Sequence, residues 1–311
     1  MVAAALLENH MMKMKPMLAL LLWLPLAAMA EQYVTIIQGL DGAPEYGAQF
    51  NGQSEKLVSA AGSITDVKRV KLLSGDEATR EKILSHFGEL EKSLKADDRL
   101  ALFLVGHGSY DGFEYKFNIP GPDLTGEDLV ASLDKLAAKR QIVVSLGSSS
   151  GALQALLKSD MRTVLTATRN GEERLATRFA TYFANALEDT AADTNKNNAI
   201  SLQEAFDFAS RNVKDYFETQ GQLATEHAVV SNDTSAQFVL ARIGKRPSQQ
   251  TDPELAGLMA RRDKLDADIE QLQLRKSEME TEQYTNELQQ LMIDLSLVQE
   301  MIDQKESPGV E

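Results

Sequence analysis

Three short stretches carry residue types that do chemistry. Gly106-His107-Gly108 ends the apolar run Arg99-Leu100-Ala101-Leu102-Phe103-Leu104-Val105, and Gly147-Ser148-Ser149-Ser150-Gly151 ends a second run, Gln141-Ile142-Val143-Val144-Ser145-Leu146. An imidazole exchanges its proton near neutral pH, and a hydroxyl beside it becomes a nucleophile once a base takes its proton. The glycines let the backbone turn and leave the imidazole room to face a ligand. The third stretch, Asp193-Thr194-Asn195-Lys196-Asn197-Asn198-Ala199-Ile200-Ser201-Leu202-Gln203-Glu204, has the spacing of a twelve-residue calcium loop. Oxygen ligands fall on Asp193, Asn195, Asn197, Ser201 and Glu204, Ala199 offers its carbonyl, and Ile200 fills the apolar position. Asn198 stands where glycine is usual, and Asn is the side-chain-bearing residue that best tolerates a left-handed backbone. Neutral Asn195 and Asn197 make this a weak calcium (Ca2+) site, and the alternative is a polar loop whose Asn side chains make turn bonds without metal. His227, alone beside an apolar run, reads as a packing or surface histidine.

The two apolar runs read as strands buried on both faces of a mainly parallel sheet. Ligands of such sheets sit beyond the carboxyl ends of the strands, which puts His107 and the serines on one rim. The surrounding pattern supplies the scaffold. Residues 32–37 are β-branched enough for a first strand, Gly39 to Gly47 mark a loop, and 67–73 are a second strand. A helix over 78–94 carries Ile83, Phe87, Leu90 and Leu94 on one face. Residues 109–122, with Asp111-Gly112, form a hairpin flap. Thr125 and Asp128 make a capping box for a helix to 136. A short helix over 152–158, a strand over 162–168, a helix over 174–187 and a helix over 201–217 follow, and short segments at 226–233 and 236–243 close the domain. Alternating strands and helices predict an α/β layered fold.

These residues resemble a known group. A strand ending in His-Gly, then a strand ending in a Cys-x-Ser-Gly-like turn, is similar to the caspase–legumain cysteine peptidases, above all their secreted bacterial branch. The resemblance spans roughly residues 32–242, and a segment like Ala167-Thr168-Arg169 through Phe179 to Leu187 belongs to it. It implies a caspase-haemoglobinase-like three-layer α/β sandwich with a mainly parallel sheet, a His general base at His107 and a Cys nucleophile at position 148. Position 148 is serine, and the chain has no cysteine. Related bacterial proteins carry a similar Asp/Asn-rich loop.

The bulk numbers bound the rest. The 311 residues, 43% of them hydrophobic, suffice for one large domain and an appendage. A net charge of −14 without a basic stripe excludes a nucleic-acid binder. Residues 1–30, with Lys13 and Lys15 before an apolar centre and Ala28-Met29-Ala30 before Glu31, form a signal peptide. Its centre is short for a membrane span, so a periplasmic or secreted location is expected, with no stable membrane insertion. The caspase/legumain-like domain covers 31–245, a polar linker 246–253, a coiled-coil helix 254–303 and a disordered tail 304–311. Leu258, Leu265, Leu272 and Met279 repeat every seven residues, and the phase slips near 280–286 before Leu288, Leu291, Leu295, Val298 and Ile302. A seam of this kind wants a protein partner or a second copy over 254–302.

Two functional readings remain. A thiol ionises near neutrality, whereas a serine hydroxyl needs a base in direct contact, oriented by a third group. The residues therefore favour a catalytically impaired pseudopeptidase that binds a peptide or protein ligand and calcium. The alternative is an active hydrolase using Ser148 and His107, with Asp111 and Glu114 the acidic residues nearest His107 in sequence.

Overall fold

The computed structural model describes residues 31–231, 235, 238–243, 252–276 and 279–306. The signal peptide read over 1–30, most of the linker and the tail from 307 onward lie outside the described residues. The chain runs β1 (Gln32–Gln38), α1 (Pro44–Ile64), β2 (Val70–Leu73), α2 (Arg80–Ser93), β3 (Arg99–Val105), β4 (Gly108–Tyr110), β5 (Tyr115–Phe117), β6 (Leu124–Thr125) and α3 (Gly126–Leu133). It continues through β7 (Arg140–Ser145), α4 (Leu153–Leu156), β8 (Arg162–Thr166), α5 (Phe179–Ala186), β9 (Ala199–Ser201), α6 (Leu202–Thr219), β10 (Val229–Val230), β11 (Val239–Arg242), α7 (Pro253–Leu274) and α8 (Thr281–Glu306).

Six strands form the central sheet in the order β10-β8-β7-β3-β1-β2. The four pairings among β2, β1, β3, β7 and β8 are parallel, and the two-residue β10 runs antiparallel beside β8. Side chains alternate between the two faces. Val34, Ile36, Ala101, Phe103, Ile142, Val144 and Leu165 pack under α1, α5 and α6. Ile37, Leu100, Leu102, Leu104, Val143 and Val164 pack under α2, α3 and α4. Burial on both faces is why these strands read as unbroken apolar runs. The chain winds from β1 out to β2, then returns to place β3 on the other side of β1. The strand order therefore reverses between β1 and β3, and a crevice opens at their carboxyl ends, the usual ligand position in such sheets.

Three elements depart from the expected ones. Residues 39–47 read as a loop, yet α1 begins at Pro44, which occupies the helix start that proline tolerates best. Gly47, Gly52 and Gly62 dilute its periodicity, and Gln53 and Ser54 share its buried face with Phe50, Leu57, Ala60 and Ala61. The helix expected from 174 starts only at Phe179, because the Glu226 carboxylate accepts the N–H groups of Arg178 and Phe179 and fixes the first turn there. The single long C-terminal helix is two, α7 and α8, with the break beside the slip in the heptad. Leu255, Met259 and Leu265 of α7 pack with Val298 and Ile302 of α8, so much of the seam is covered within the chain. Arg242 on β11 holds this hairpin to the domain through Asp263 at 2.9 Å and Asp266 at 3.8 Å. No helix among the described residues is long and apolar enough to cross a membrane.

Leu102 is fully buried at the centre of the sheet. Leu102→Ala should cost about 2–5 kcal/mol, read as a lower urea midpoint with an unchanged slope.

Candidate functional site

The crevice between β1 and β3 is where His107 sits, two residues beyond Val105, which ends β3. Its own backbone carbonyl accepts the Asn118 N–H at 3.0 Å, and the Asn118 carbonyl accepts the Leu40 N–H at 2.9 Å. The flap made by β4, β5 and β6 is thereby stapled to the end of β1, with His107 fixed between them. Tyr46 and Phe50, one turn apart on α1, close on the imidazole edge-on, at centroid distances of 4.7 and 5.1 Å. Burial holds the imidazole below its ordinary range, against the pull of the Asp41 backbone and carboxylate in the β1–α1 connection.

Ser148 follows β7, the strand next to β3, and is buried. Its hydroxyl donates to the Gly108 carbonyl at 2.9 Å, and the Gly108 N–H lies 3.4 Å from the same oxygen. The two turns touch backbone to backbone. A Cβ on Gly108 would stand 2.6 Å from the Ser148 carbonyl oxygen and 2.5 Å from the Tyr115 hydroxyl, and one on Gly147 would overlap the Gly106 carbonyl oxygen. Glycine at 108 is thus required by close approach, and no left-handed turn is made there. The left-handed residue is Ser149, at φ 55, whose N–H donates to the Glu173 carbonyl at 2.8 Å. Ser150 bonds the Thr168 hydroxyl at 3.2 Å, and the Thr168 hydroxyl accepts the Gly151 N–H at 2.8 Å. Ser150 therefore builds the turn, and Ser149 is wholly buried with its hydroxyl unpaired.

His107 and Ser148 line the same cavity with Tyr46, Phe50, Ala176 and Thr177, and that cavity measures about 10 Å3, roughly the space of one water. Among the described residues no hydrogen bond joins the imidazole to the Ser148 hydroxyl. Of the acidic residues near His107 in sequence, Asp111 is spent on its own turn, accepting the Phe113 and Glu114 N–H groups at 2.9 and 2.8 Å. Glu114 pairs with Lys116 at 3.1 Å. The carboxylate that does act on His107, Asp41, was invisible to spacing. So were Tyr46 and Phe50, although Pro44 followed by apolar residues four apart was a usable helix-start signal.

The Asp193–Glu204 stretch runs from the connection after α5 through β9 into the first turn of α6. Asn198 and Lys196 take left-handed backbone, at φ 60 and 57. Asp193 accepts the Asn197 and Asn198 N–H groups at 3.1 and 2.9 Å, and burial pushes its carboxyl upward in spite of them. One Glu204 oxygen accepts from the Thr194 N–H and hydroxyl, both at 3.1 Å, and the other from the Ser201 N–H and hydroxyl at 3.0 and 2.9 Å. Asn195 accepts the Asn197 N–H at 3.0 Å, Asn197 accepts the Ala199 N–H at 2.9 Å, and β9, starting at Ala199, pairs with β11. Among the described residues no three His, Asp or Glu side chains gather as a metal cluster. The loop's donors are all oxygen, the type a hard cation takes, and both Glu204 oxygens are already engaged by Thr194 and Ser201. His227 bonds Glu173 at 2.7 Å through Nδ1.

With this geometry in view, comparison with known proteins is informative. The peptidase C13 family matches residues 44–236 of the chain. The chain belongs to the peptidase C13 family. It is accordingly a legumain-like, peptidase-related protein, and its mainly parallel sheet between helix layers is consistent with the caspase-like fold. The peptidase C13 match runs from the first residue of α1 to the segment between β10 and β11, and so takes in His107 and Ser148 but neither β1 nor the α7–α8 hairpin. No curated protein matches. Among solved structures, the crystal structure of a Geobacter sulfurreducens structural-genomics target aligns at 13% identity over 69% of this chain and 100% of its own, with a TM-score of 0.46.

The half-buried imidazole yields a titration test. The His107 resonance should titrate with a midpoint below about 6.5 in an NMR pH series. Its folded pKa lies under the unfolded one, so its contribution to stability is complete above that unfolded value and declines as pH falls toward the folded midpoint.

Proposed function

We propose that this peptidase C13 protein is a pseudopeptidase of the secreted bacterial branch, exported to the periplasm or beyond, that binds a peptide or protein ligand at the His107 rim without cleaving it. The observation that carries the reading is the hydrogen bond from Ser148 to the Gly108 carbonyl. Ser148 stands where the family's nucleophilic cysteine belongs, and its proton is given to a backbone oxygen that cannot take it away. A thiolate at that position would need no such transfer, being ionised in appreciable amount near neutrality. A serine hydroxyl does need it, and His107, packed against Tyr46 and Phe50, is not bonded to it. The Gly108 N–H beside the Ser148 oxygen supports the view that the remaining parts of the cleft are kept.

The Asp193–Glu204 loop supplies a calcium response in this reading. Its ligands are Asp193, Asn195, Asn197, the Ala199 carbonyl, Ser201 and Glu204, and bound calcium draws the ends of α5 and α6 together. With two neutral Asn among them the affinity is weak. Calcium then stabilises the domain by mass action alone, and the α7–α8 hairpin provides the surface for a protein partner or for self-association.

Replacing Ser148 by Cys tests the cleft. Ser148→Cys should cleave a mixed peptide library while the natural chain does not, and adding His107→Ala should lower that rate by about 10²–10⁴-fold. Cleavage by the natural chain that is lost in His107→Ala would instead establish a serine hydrolase. For the loop, roughly millimolar calcium should raise the melting temperature, magnesium should not, and Asp193→Asn with Glu204→Gln should remove the rise. A melting curve indifferent to calcium would leave the loop a metal-free turn.

A further inference from the structure

A second cavity, of about 480 Å3, opens between α6 and the segment that leads into β10, and nothing in the preceding reading uses it. This is a volume typical of small-ligand sites. Its apolar wall comes from Phe179, Val213 and Phe217, with Leu223, 91% exposed, at the mouth. Its polar groups are unevenly matched. Lys214 and Glu218 stand 3.7 Å apart and offset each other. Glu226 has no such partner.

The Glu226 side chain lines this cavity, and the residue is only 4% exposed. Its carboxylate accepts the Arg178 N–H at 2.8 and 3.0 Å and the Phe179 N–H at 3.1 Å, all from neutral donors. Among the described residues no cation lies within ion-pair distance of it. The one guanidinium close by, that of Arg178, is stacked over the Tyr216 ring at 3.7 Å. Burial pushes the Glu226 carboxyl upward, with the two N–H groups and Arg178 pulling the other way. On the same lining, the Ser210 hydroxyl is buried without a hydrogen-bond partner. A buried carboxylate held only by amides gains most from a cation delivered with its own apolar cover.

From this juxtaposition we infer that the cavity binds an organic cation, an ammonium or guanidinium on an apolar stem. The head meets Glu226 and the Ser210 hydroxyl, and the stem lies along Phe179, Val213 and Phe217. The inference does not depend on peptide binding at His107. A Glu226 that served only to cap α5 would be indifferent to ligand charge, and the experiment separates the two roles.

The full chain is titrated by calorimetry with 4-phenylbutylamine and with its neutral isostere 4-phenylbutanol. The amine should bind at least about tenfold tighter, the difference that roughly one charge-assisted hydrogen bond makes. Glu226→Gln, which keeps an acceptor for the helix N–H groups, should abolish that preference. Ala224→Trp, on the exposed loop lining the mouth, should block both ligands in a chain that still melts cooperatively. A third titration, with N-acetyl-lysine methylamide, distinguishes sources: binding of both cations marks a reader of basic side chains, and binding of the free amine alone marks a small-amine site. Equal affinity for amine and alcohol, a preference that survives Glu226→Gln, or no binding of any probe would each overturn the inference.

Discussion

The site depends on how closely the ends of β3 and β7 approach one another. The turns after β3 and β7 meet so tightly that a methyl group on Gly108 or Gly147 would displace backbone atoms of the facing turn. Such contact leaves no freedom to slide, so the positions of His107 and Ser148 follow from the packing of main chain against main chain. It also settles which groups the serine can reach. The nearest acceptor is the Gly108 carbonyl, part of the same contact, and the hydroxyl is bound there. The arrangement that brings nucleophile and base positions onto one rim is thus also the one that occupies the serine proton.

A thiol would meet the same contact differently. Sulfur is larger and a weak hydrogen-bond donor, so a cysteine at 148 would be held less firmly by a backbone carbonyl and would act as the anion. The serine, by contrast, satisfies its hydrogen-bonding capacity inside the protein and gains stability from doing so. The cavity it lines is small because Tyr46 and Phe50 lean on the imidazole. These features belong together in a cleft whose polar groups are settled internally.

Much of this was legible beforehand, and what was not has physical reasons. β3 and β7 announced themselves because strands buried on both faces must be continuous apolar runs, and their ends located His107 and Ser148. The capping box at Thr125 and Asp128 is present as its spacing required. The helix α1 escaped because Gln53 and Ser54 interrupt its buried face and its glycines interrupt the period, and with it went Tyr46, Phe50 and the role of Asp41. The start of α5 was misplaced by five residues, since Glu226, 48 positions away from Arg178 in the chain, decides it. No local pattern contains that contact. The C-terminal heptads asked for a helix to pack against but could not say that the chain's own return would meet much of the seam.

The short antiparallel strand β10 has a consequence of another kind. It closes an edge. β8 is buried along all five residues, and Val229 and Val230 pair with its outer row of backbone groups, helped by Ser231, which exchanges hydrogen bonds with Val164 through its N–H and hydroxyl at 2.9 Å each. Were that segment to fray, an apolar strand would offer an open ladder to any extended chain, the template from which intermolecular sheets grow. The far edge, β2, carries Lys71 pointing to solvent, a charge of the kind that discourages such pairing. Among the described residues, Val229, Val230 and Ser231 thus stand between β8 and an edge-on partner.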